Sequence, residues 1–190
     1  MRVIAGKYRS RPLHSLKGMD IRPTSDRLRE TLFNVLTAGK PNVLEGTIWI
    51  DLYAGTGAVG IEALSRGAET VYFVESSTQA AELIAKNLAT LKIEQNFRIV
   101  KLDVLHGLRV LANERVTANF VFFDPPYRMR EAYPEVLNSL AQPGLLKPDG
   151  VAIAEHEKRF DPGENCGEFR LARRLVQGDA GLSFYQRRQW

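Results

Sequence analysis

Hydrophobic residues in this chain are grouped into short runs, and the segments around these runs repeat apolar residues at helical spacing. Runs of this length are typical of strands that are buried on both faces of a sheet. The predicted strands are residues 48–53, 70–75, 97–102, 119–123 and 151–155. Strands that alternate with amphipathic helices predict an α/β fold whose sheet is mostly parallel.

Apolar residues at three- and four-residue intervals predict four helices. Their apolar faces are Leu28, Leu32, Val35 and Leu36; Ile61, Ala63 and Leu64; Ala81, Ile84, Ala85, Leu88 and Leu91; and a stripe within residues 132–140. Thr24, Ser25 and Asp26 can cap the first helix, which is expected to end before Gly39.

The last third of the chain predicts an antiparallel hairpin. Residues 169–176 and 182–187 alternate apolar and polar side chains around the turn residues 178–181. Residues 145–150 predict a turn and residues 158–168 a loop. Together with the five parallel strands, the hairpin predicts a seven-stranded doubly wound α/β sheet with a C-terminal antiparallel hairpin.

The first 22 residues predict an N-terminal arm rather than a separate domain. Gly6, Pro12 and Gly18 interrupt its apolar patches, and only a small hairpin through Val3 and Leu13 is expected. A segment of this length cannot bury a core of its own. We therefore expect the arm, residues 1–22, to lie against a single domain formed by residues 23–190.

Three closely spaced glycines follow the first predicted strand. Gly55, Gly57 and Gly60 separate it from a helix, which is the arrangement of a nucleotide-type binding crevice. The spacing Gly-x-Gly-x-x-Gly is a weak signal alone, because a strand-to-helix turn can need glycine for its backbone only.

An acid inside the same strand narrows the interpretation. Asp51 precedes Gly55 by four residues, and acid-x-x-x-Gly-x-Gly resembles the motif of S-adenosylmethionine-dependent methyltransferases. The resemblance implies a Rossmann-like methyltransferase fold with S-adenosylmethionine as cofactor. It also implies that the cofactor contacts Asp51, Ala54, Gly55 and Gly57, with the glycines against its methionine part.

Two further acids stand at predicted strand ends. Glu75, followed by Ser76, can accept both ribose hydroxyls of a nucleoside cofactor, whether S-adenosylmethionine or NAD. Asp103, followed by Val104, matches the family's acceptor for the adenine amino group, whose ring is read by neighbouring backbone. The alternatives are an acid at a helix N-terminus for Glu75 and a simple loop acid for Asp103.

The tetrapeptide Asp124-Pro125-Pro126-Tyr127 is the strongest chemical signal, and it follows the most apolar strand. Two prolines fix φ and remove two N–H donors, so the Pro125 carbonyl and the Asp124 carboxylate can accept both hydrogens of an exocyclic amine. Tyr127 can stack on the ring that carries the amine. These four residues are the predicted catalytic residues, and Asp124 is also predicted to contact the cofactor.

The motif Asp/Asn-Pro-Pro-Tyr/Phe resembles that of amino-group methyltransferases acting on DNA adenine N6, RNA guanine N2 or protein glutamine. The rest of the chain favours one of them. Residues 1–11, 22–34, 47–67 and 124–128 together resemble the bacterial 16S ribosomal RNA guanine-N2 methyltransferase family. The resemblance implies methylation of a loop guanine, and implies that residues 22–34 help to close the cofactor site. A DNA adenine enzyme, a protein glutamine enzyme and a non-catalytic RNA-binding protein are the alternatives.

Positive charge is concentrated at the two ends of the chain. Residues 1–30 hold eight Lys and Arg against three acids, whereas the whole chain carries a net charge of +4. Basic residues interleaved with an aromatic ring suit phosphate contact and base stacking, although a solvated basic surface is the alternative. The predicted RNA contacts are Arg2, Lys7, Tyr8, Arg9, Arg11 and Arg22. A second basic group comprises Arg170, Arg173, Arg174, Arg187 and Arg188.

The remaining composition excludes several classes. One cysteine, Cys166, allows no internal disulfide and no cysteine-based metal site, and suits a reducing compartment. His14, His106 and His156 lack metal-ligand spacing, so no metal is predicted. No apolar run approaches a membrane span and no signal core is present. The composition suits a cytoplasmic protein, and the family resemblance implies a monomeric enzyme that acts on 16S rRNA, free or within a small-subunit particle.

Overall fold

The predicted strands pair into one sheet in the computed structural model, which describes residues 1–15, 24–142 and 144–188. The helices are α1 Asp26–Thr37, α2 Ala58–Ser65, α3 Thr78–Thr90, α4 Val104–Asn113 and α5 Ala132–Ala141. The strands are β1 Ile48–Leu52, β2 Thr70–Val74, β3 Phe97–Val100, β4 Ala118–Phe123, β5 Leu146–Glu157, β6 Asn165–Cys166, β7 Phe169–Gln177 and β8 Ala180–Arg187.

The order of strands in the sheet is β3-β2-β1-β4-β5-β8-β7-β6. Strands β1 to β5 pair in parallel. Strand β8 then pairs antiparallel with β5, β7 with β8, and β6 with β7. The chain first builds outward from β1 through β2 to β3, and then returns to place β4 on the other side of β1. The junction of β1 and β4 is therefore the topological switch point, where doubly wound sheets bind ligands.

Helices cover both faces of the sheet because successive strand residues point to opposite sides. Trp49 lies in the core beneath α1, α2 and α3, whereas its neighbour Ile50 lies in the core beneath α4 and α5. Both residues are fully buried. Within the described residues, no helix combines the length and the apolar character that are needed to cross a membrane.

The first helix starts where its caps predicted. The Ser25 hydroxyl accepts a hydrogen bond from the Leu28 N–H at 3.1 Å and so caps α1. Leu28 and Leu32 are buried on the sheet. On α3 the apolar face is narrower than predicted, since Ala85 is exposed while Ile84 and Leu88 are buried.

Three parts of the sequence interpretation need correction. The sheet has eight strands among the described residues rather than seven, because Asn165–Cys166, within the predicted loop, pairs with β7. β5 begins at Leu146, inside the predicted turn, and its pairing with β4 shifts register there. The helix α4 was not predicted, although Val104, Leu108 and Leu111 have helical spacing and are buried.

The described part of the N-terminal arm, residues 1–15, forms the small hairpin that was expected. Arg2 and Pro12 form an antiparallel bridge, and Val3 and Leu13 are buried against the core. Residues 16–22 of the predicted arm lie outside the described residues. The division into an arm and a single domain stays a prediction.

Candidate active site

The glycine turn and the tetrapeptide meet at the switch point. Leu52 on β1 is the register partner of Phe123 on β4, so Tyr53 and Asp124 follow adjacent strand ends. The ends of β2 and β3 lie on the far side of β1 and carry Glu75 and Asp103. The sheet therefore presents the predicted cofactor residues and the predicted catalytic residues along one edge.

The three glycines have different structural roles. Gly55 and Gly57 have φ of +53° and +75°, a region that favours glycine, and the turn is closed by the Gly57 N–H donating to the Ala54 carbonyl at 2.7 Å. Gly60 lies in α2, where an added Cβ would stand 2.3 Å from the Phe73 ring. The first two glycines shape the crevice, and the third lets α2 pack closely on β2.

Asp51 lies beneath the turn rather than in the open crevice. Its side chain is 2% exposed, and Oδ2 accepts a hydrogen bond from the Gly60 N–H at 2.9 Å. Gly57, the N-cap of α2, has no side chain to cap the helix, and Asp51 supplies the missing acceptor from β1. Burial, with Glu75 and Glu155 adding negative charge, raises the pKa of Asp51 to about 8. Its contact with the cofactor stays a prediction.

The raised pKa of Asp51 predicts a pH-dependent stability. An unfolded aspartate has a pKa of about 3.9, so between about pH 4 and pH 8 the folded protein retains a proton that the unfolded chain releases. The free energy of unfolding should therefore fall as pH rises through this window, by up to about 1.4 kcal/mol per pH unit from this group. Asp51→Asn, which keeps an acceptor for Gly60, should have a flatter profile in urea titrations at pH 5, 7 and 9. Equal slopes in both proteins would contradict the assignment.

Glu75 is held in a defined orientation at the end of β2. Its Oε2 accepts from the Gly55 N–H at 2.9 Å and its Oε1 accepts from the Ser77 N–H at 2.8 Å. The side chain is half-buried, and Ser76 beside it is exposed. Because each carboxylate oxygen can accept a second hydrogen bond, Glu75 can still receive a diol. The bond to Gly55 joins this acid directly to the glycine turn.

Asp103 is the N-cap of α4. Its carboxylate accepts from the His106 N–H at 3.1 Å and contacts His106 Nδ1 at 2.5 Å, and these bonds lower its pKa. The side chain is 58% exposed and ionised, so it can accept from an external amine. Val104, the first residue of the helix, is buried. His106, expected to be structural or at the surface, is an exposed partner of Asp103.

The residues along this edge fit S-adenosylmethionine. Glu75 offers acceptors for two hydroxyls, and Asp103 offers an acceptor for an amine. Beside them, Gly55 and Gly57 have positive φ and no side chain, so a ligand can approach the backbone of the turn. The acids occupy successive strand ends, in the order in which a nucleoside would cross them. No phosphate-binding cation is needed for this ligand, in contrast to a dinucleotide.

The tetrapeptide extends from β4 into the crevice. Asp124 and Tyr127 are half-buried, Pro125 is buried and Pro126 is exposed. The Pro126 carbonyl accepts from the Met129 N–H at 2.7 Å and so closes the turn after the motif. Burial, with the neighbouring charges of Asp124 and Tyr127, raises the pKa of Tyr133, which packs below the motif as a neutral phenol.

Sequence reasoning missed several residues around this edge. Tyr53, directly before the glycine turn, has φ of +55° without being glycine. Glu155, at the end of β5, is 4% exposed and accepts from the Thr24 hydroxyl at 2.7 Å. The position of Glu155 as the only acid of an apolar strand run, residues 151–155, was a usable signal.

The predicted RNA-contacting residues lie on the N-terminal arm. Arg2, Lys7, Arg9 and Arg11 are exposed, and the Lys7 amine lies 5.4 Å from the ring centre of Tyr8, which is half-buried. Arg22 lies outside the described residues.

Buried side chains hold the backbone of this arm in place. Glu62 accepts from the N–H groups of Ile4 and Ala5 at 2.7 and 3.0 Å. Ser65 accepts from the Tyr8 N–H at 3.0 Å, and Asn87 accepts from the His14 N–H at 2.7 Å. The exposed cations therefore belong to a segment whose backbone is held by hydrogen bonds to α2 and α3.

Two interpretations of the positively charged residues need correction. Arg29, counted in the N-terminal excess, is fully buried and donates to Asp26 and to the Arg2 carbonyl, so it cannot meet a phosphate. In the C-terminal group, Arg174 is paired with Asp161, and Arg187 is paired with Glu168 and donates to the last carbonyls of α5.

Part of the C-terminal basic group lies far from the candidate site. Arg170 pairs in register with Gln186, and Arg187 with Phe169, at the edge of the sheet opposite to the carboxyl end of β5. An open cavity of about 780 Å³ at that edge is lined in part by Arg170, Arg187 and Arg188. It is separate from the crevice at the switch point.

Across the described ranges, no group of three His, Cys, Asp or Glu side chains is arranged to hold a metal ion. His156 is buried between the Ser183 hydroxyl and the Glu157 carbonyl, each 2.9 Å from a ring nitrogen. Burial lowers the pKa of His156, so it packs as a neutral ring.

Comparisons with known proteins agree with this geometry. The family model described as conserved hypothetical protein 95 matches residues 1–186. Ribosomal RNA small subunit methyltransferase D of Escherichia coli K12 is 35% identical over 187 residues, which cover 98% of this chain and 90% of that protein. The protein of the same name from Haemophilus influenzae is 36% identical over 159 residues, which cover 83% of this chain and 79% of that protein.

A solved structure shows the same likeness. The Escherichia coli protein yhhF, described as a methyltransferase, is 33% identical and has a TM-score of 0.82, with 100% of this chain and 99% of that chain covered. The methyltransferase fold predicted from the glycine turn and the strand order is therefore confirmed.

Proposed function

The chain belongs to the ribosomal RNA small subunit methyltransferase D family, and on this premise we propose that it methylates the exocyclic N2 amine of a loop guanine in 16S ribosomal RNA. The observation that carries the proposal is the junction of β1 and β4, where the glycine turn and Asp124–Tyr127 follow adjacent strand ends. A methyl donor and an amine acceptor bound at these two turns would meet at one point.

S-adenosylmethionine is the cofactor, and it supplies an electrophilic methyl group on a sulfonium. Glu75 and Asp103 would hold its nucleoside half by accepting hydrogen bonds, and the backbone of Ala54, Gly55 and Gly57 would contact its methionine half. Asp51 supports this turn from below through Gly60. The carboxylates of Glu75 and Asp103 are oriented by backbone N–H groups, so they need little rearrangement on binding.

The amine is prepared by the tetrapeptide. An exocyclic amine on guanine is a poor nucleophile because its lone pair is delocalised into the ring. Acceptance of its two hydrogens by the Asp124 carboxylate and the Pro125 carbonyl favours a tetrahedral nitrogen whose lone pair faces the methyl group. Tyr127 stacks on the base and holds it flat. Alignment of this kind can account for a large share of the rate.

The substrate base must be unpaired. In a duplex the guanine amine lies in the minor groove, where the strand-end crevice cannot enclose it, so the base has to be in a loop or flipped out. This supports a loop guanine of 16S rRNA within a small subunit or an assembly intermediate. We propose that the enzyme acts there as a cytoplasmic monomer, with the arm, residues 1–22, docked on the main domain, residues 23–190.

The test of the proposed function is a mass map of modified nucleotides in 16S rRNA from cells that lack this protein. One N2-methylguanine should be missing, and the purified enzyme with S-adenosylmethionine should restore it. Naked DNA and a protein glutamine substrate serve as the competing acceptors. If the enzyme methylates either of these acceptors and the rRNA map is unchanged, its substrate is the corresponding DNA or protein amine and not guanine N2.

Glu75→Ala should weaken cofactor binding. The variant removes charge-assisted hydrogen bonds to the ribose and also releases the Gly55 and Ser77 N–H groups, so S-adenosylhomocysteine should bind about 1–3 kcal/mol less tightly in calorimetry. Glu82→Ala, an exposed acid on α3, is the matched control. An affinity unchanged in Glu75→Ala, or tight NAD binding by the native protein, would contradict the cofactor site.

Removal of charge from the arm should weaken RNA binding without moving the arm. Lys7, Arg9 and Arg11 are exposed, whereas the arm is anchored through backbone groups, so replacement of all three by Gln should leave its path intact. The slope of log affinity against log salt should become shallower by up to about one unit for each phosphate that the arm no longer neutralises. Cofactor affinity should not change.

The control for this variant replaces Lys92, Arg109 and Arg115, which are exposed cations outside the arm. It removes the same charge and should keep the salt slope of the native protein. If both triple variants lose affinity equally, net charge rather than the arm determines RNA binding.

A further inference from the structure

A second cavity, of about 180 Å³, opens near the carboxyl end of β5. Its walls are Ser25 and Arg27 at the start of α1, Glu155 on β5, and residues 177–180 at the β7–β8 turn. The turn reaches this edge because β8 runs antiparallel to β5, with Ala180 opposite Glu157. The cavity is thus formed by three segments that are distant in sequence.

The cavity lies on the side of β4 that the cofactor does not occupy. Glu75 and Asp103 stand at the ends of β2 and β3, whereas β5 and β8 lie beyond β4 in the opposite direction. Phe123 pairs with Ala154, so Asp124 and Glu155 follow adjacent strand positions. A base that presents its amine to Asp124 can therefore reach Glu155 on the neighbouring strand with the adjacent atom of the same edge.

The lining is rich in hydrogen-bond acceptors. Glu155 is 4% exposed, and its carboxylate is oriented by the Thr24 hydroxyl at 2.7 Å. The Gln177 side-chain oxygen is buried and has no hydrogen-bond partner among the described residues. Asp179 contributes a second carboxylate to the wall. A ligand that suits this cavity brings an N–H donor for the Gln177 oxygen, since a buried acceptor is costly when unpaired.

We propose that this cavity receives the Watson–Crick edge of the target guanine and that Glu155 accepts its N1–H. This inference rests on the proposed function. Guanine carries the N1–H donor next to the N2 amine, so Asp124 and Glu155 on adjacent strands can read two neighbouring donors of one base. Adenine has an acceptor at N1, which a carboxylate repels. Glu155 is therefore a specificity-determining residue, and Thr24 is a positioning residue that acts through it.

Base analogues in the target position test the inference. Small-subunit particles are reconstituted with guanine, 2-aminopurine or 2,6-diaminopurine at the methylated position; both analogues keep the 2-amine but have an acceptor at N1. In single-turnover assays with saturating S-adenosylmethionine, the native enzyme should methylate guanine about 10- to 100-fold faster than either analogue. Glu155→Gln can turn its amide to donate to N1, so this ratio should contract about 10-fold or more.

The controls separate this inference from the proposed function. Glu164→Gln makes the same chemical change at an exposed acid on another surface and should keep the native ratio. If the native enzyme methylates guanine N2 but Glu155→Gln keeps the native ratio, the inference is wrong and the proposed function stands. If the native enzyme methylates no guanine, the proposed function itself is wrong.

A second variant covers the case in which Glu155→Gln does not fold, as judged by its thermal melt and its S-adenosylhomocysteine binding. Thr24→Val removes the hydroxyl that orients Glu155 at nearly constant volume, and it should also contract the ratio of guanine to 2-aminopurine. Thr24→Ser keeps the hydroxyl and should restore the native ratio. A native ratio in Thr24→Val would overturn the inference.

Discussion

Asp124→Ala should slow methyl transfer by about 100-fold or more while leaving RNA affinity nearly unchanged. In the proposed mechanism the carboxylate is one of two acceptors that orient the amine, and misalignment of the nucleophile affects the chemical step more than binding. The proposed RNA contacts lie on the arm, whose backbone is anchored by Ser65 of α2 and Asn87 of α3 rather than by the tetrapeptide. The measurement is single-turnover methylation with saturating cofactor, run beside an RNA-binding assay.

Further variants of Asp124 and Tyr127 show which interaction of the tetrapeptide causes the loss of activity. Asp124→Asn keeps one acceptor and occurs in related motifs, so it should retain more activity than Asp124→Ala. Tyr127→Ala should lose about 1–3 kcal/mol of stacking, whereas Tyr127→Phe should be nearly silent. Normal turnover in Asp124→Ala would contradict the mechanism. Equal loss in Tyr127→Phe and Tyr127→Ala would give the hydroxyl a chemical role.

Glu62→Ala should destabilise the protein by about 3–5 kcal/mol, the largest effect expected outside the site. Glu62 is fully buried and accepts from Ile4 N, Ala5 N and Arg66 Nε within 3.0 Å. Its removal leaves three donors unsatisfied and deprives the buried Arg29, whose Nε lies 3.9 Å from Glu62, of a countercharge. Burial already lowers the pKa of Arg29, and Glu62 opposes that shift.

Urea unfolding of three variants tests this account. Glu69→Ala, at an exposed acid just after α2, should change the free energy of unfolding by less than about 0.5 kcal/mol. Glu62→Met combined with Arg29→Met removes both buried charges and should be less destabilised than Glu62→Ala alone. A loss below about 1 kcal/mol in Glu62→Ala would mean that the arm is not anchored by this acid.

The sheet was predictable because the spacing of apolar residues and the amino-acid composition of its strands are found in few other structures. The run from Ile48 to Leu52 is apolar on both faces except at Asp51, and the glycines after it permit only a turn. The edge strand β6 was not predictable, since two polar residues pair with β7 only because the chain beyond them folds back. α4 was missed for another reason: its spacing was visible, but Asp103 was considered as a ligand or a loop acid and not as a helix cap.

The candidate site likewise contains some residues that could be predicted from sequence and some that could not. Glu75, Asp103 and Asp124 could be proposed from sequence because each directly follows a strand, and parallel strand ends share an edge. Tyr53 could not, because its importance depends on a backbone conformation that the sequence does not indicate. Glu155 was visible as the only acid of its strand run, but its orientation depends on the approach of Thr24 from 131 positions away. The buried role of Arg29 was also hidden, since its partners Arg2 and Glu62 come from separate segments.

The bond between Thr24 and Glu155 has a consequence for the order in which the protein is made. Domains tend to fold from the N-terminus during translation, but here Thr24, just before the first helix, gains its partner only after β5 has been synthesised. The arm likewise waits for Asn87, 73 positions after His14. Contacts of such long range slow folding. A nascent chain that has completed β1 to β3 therefore still lacks the Thr24–Glu155 bond and the cavity at the end of β5, and both can form only near the end of its own synthesis.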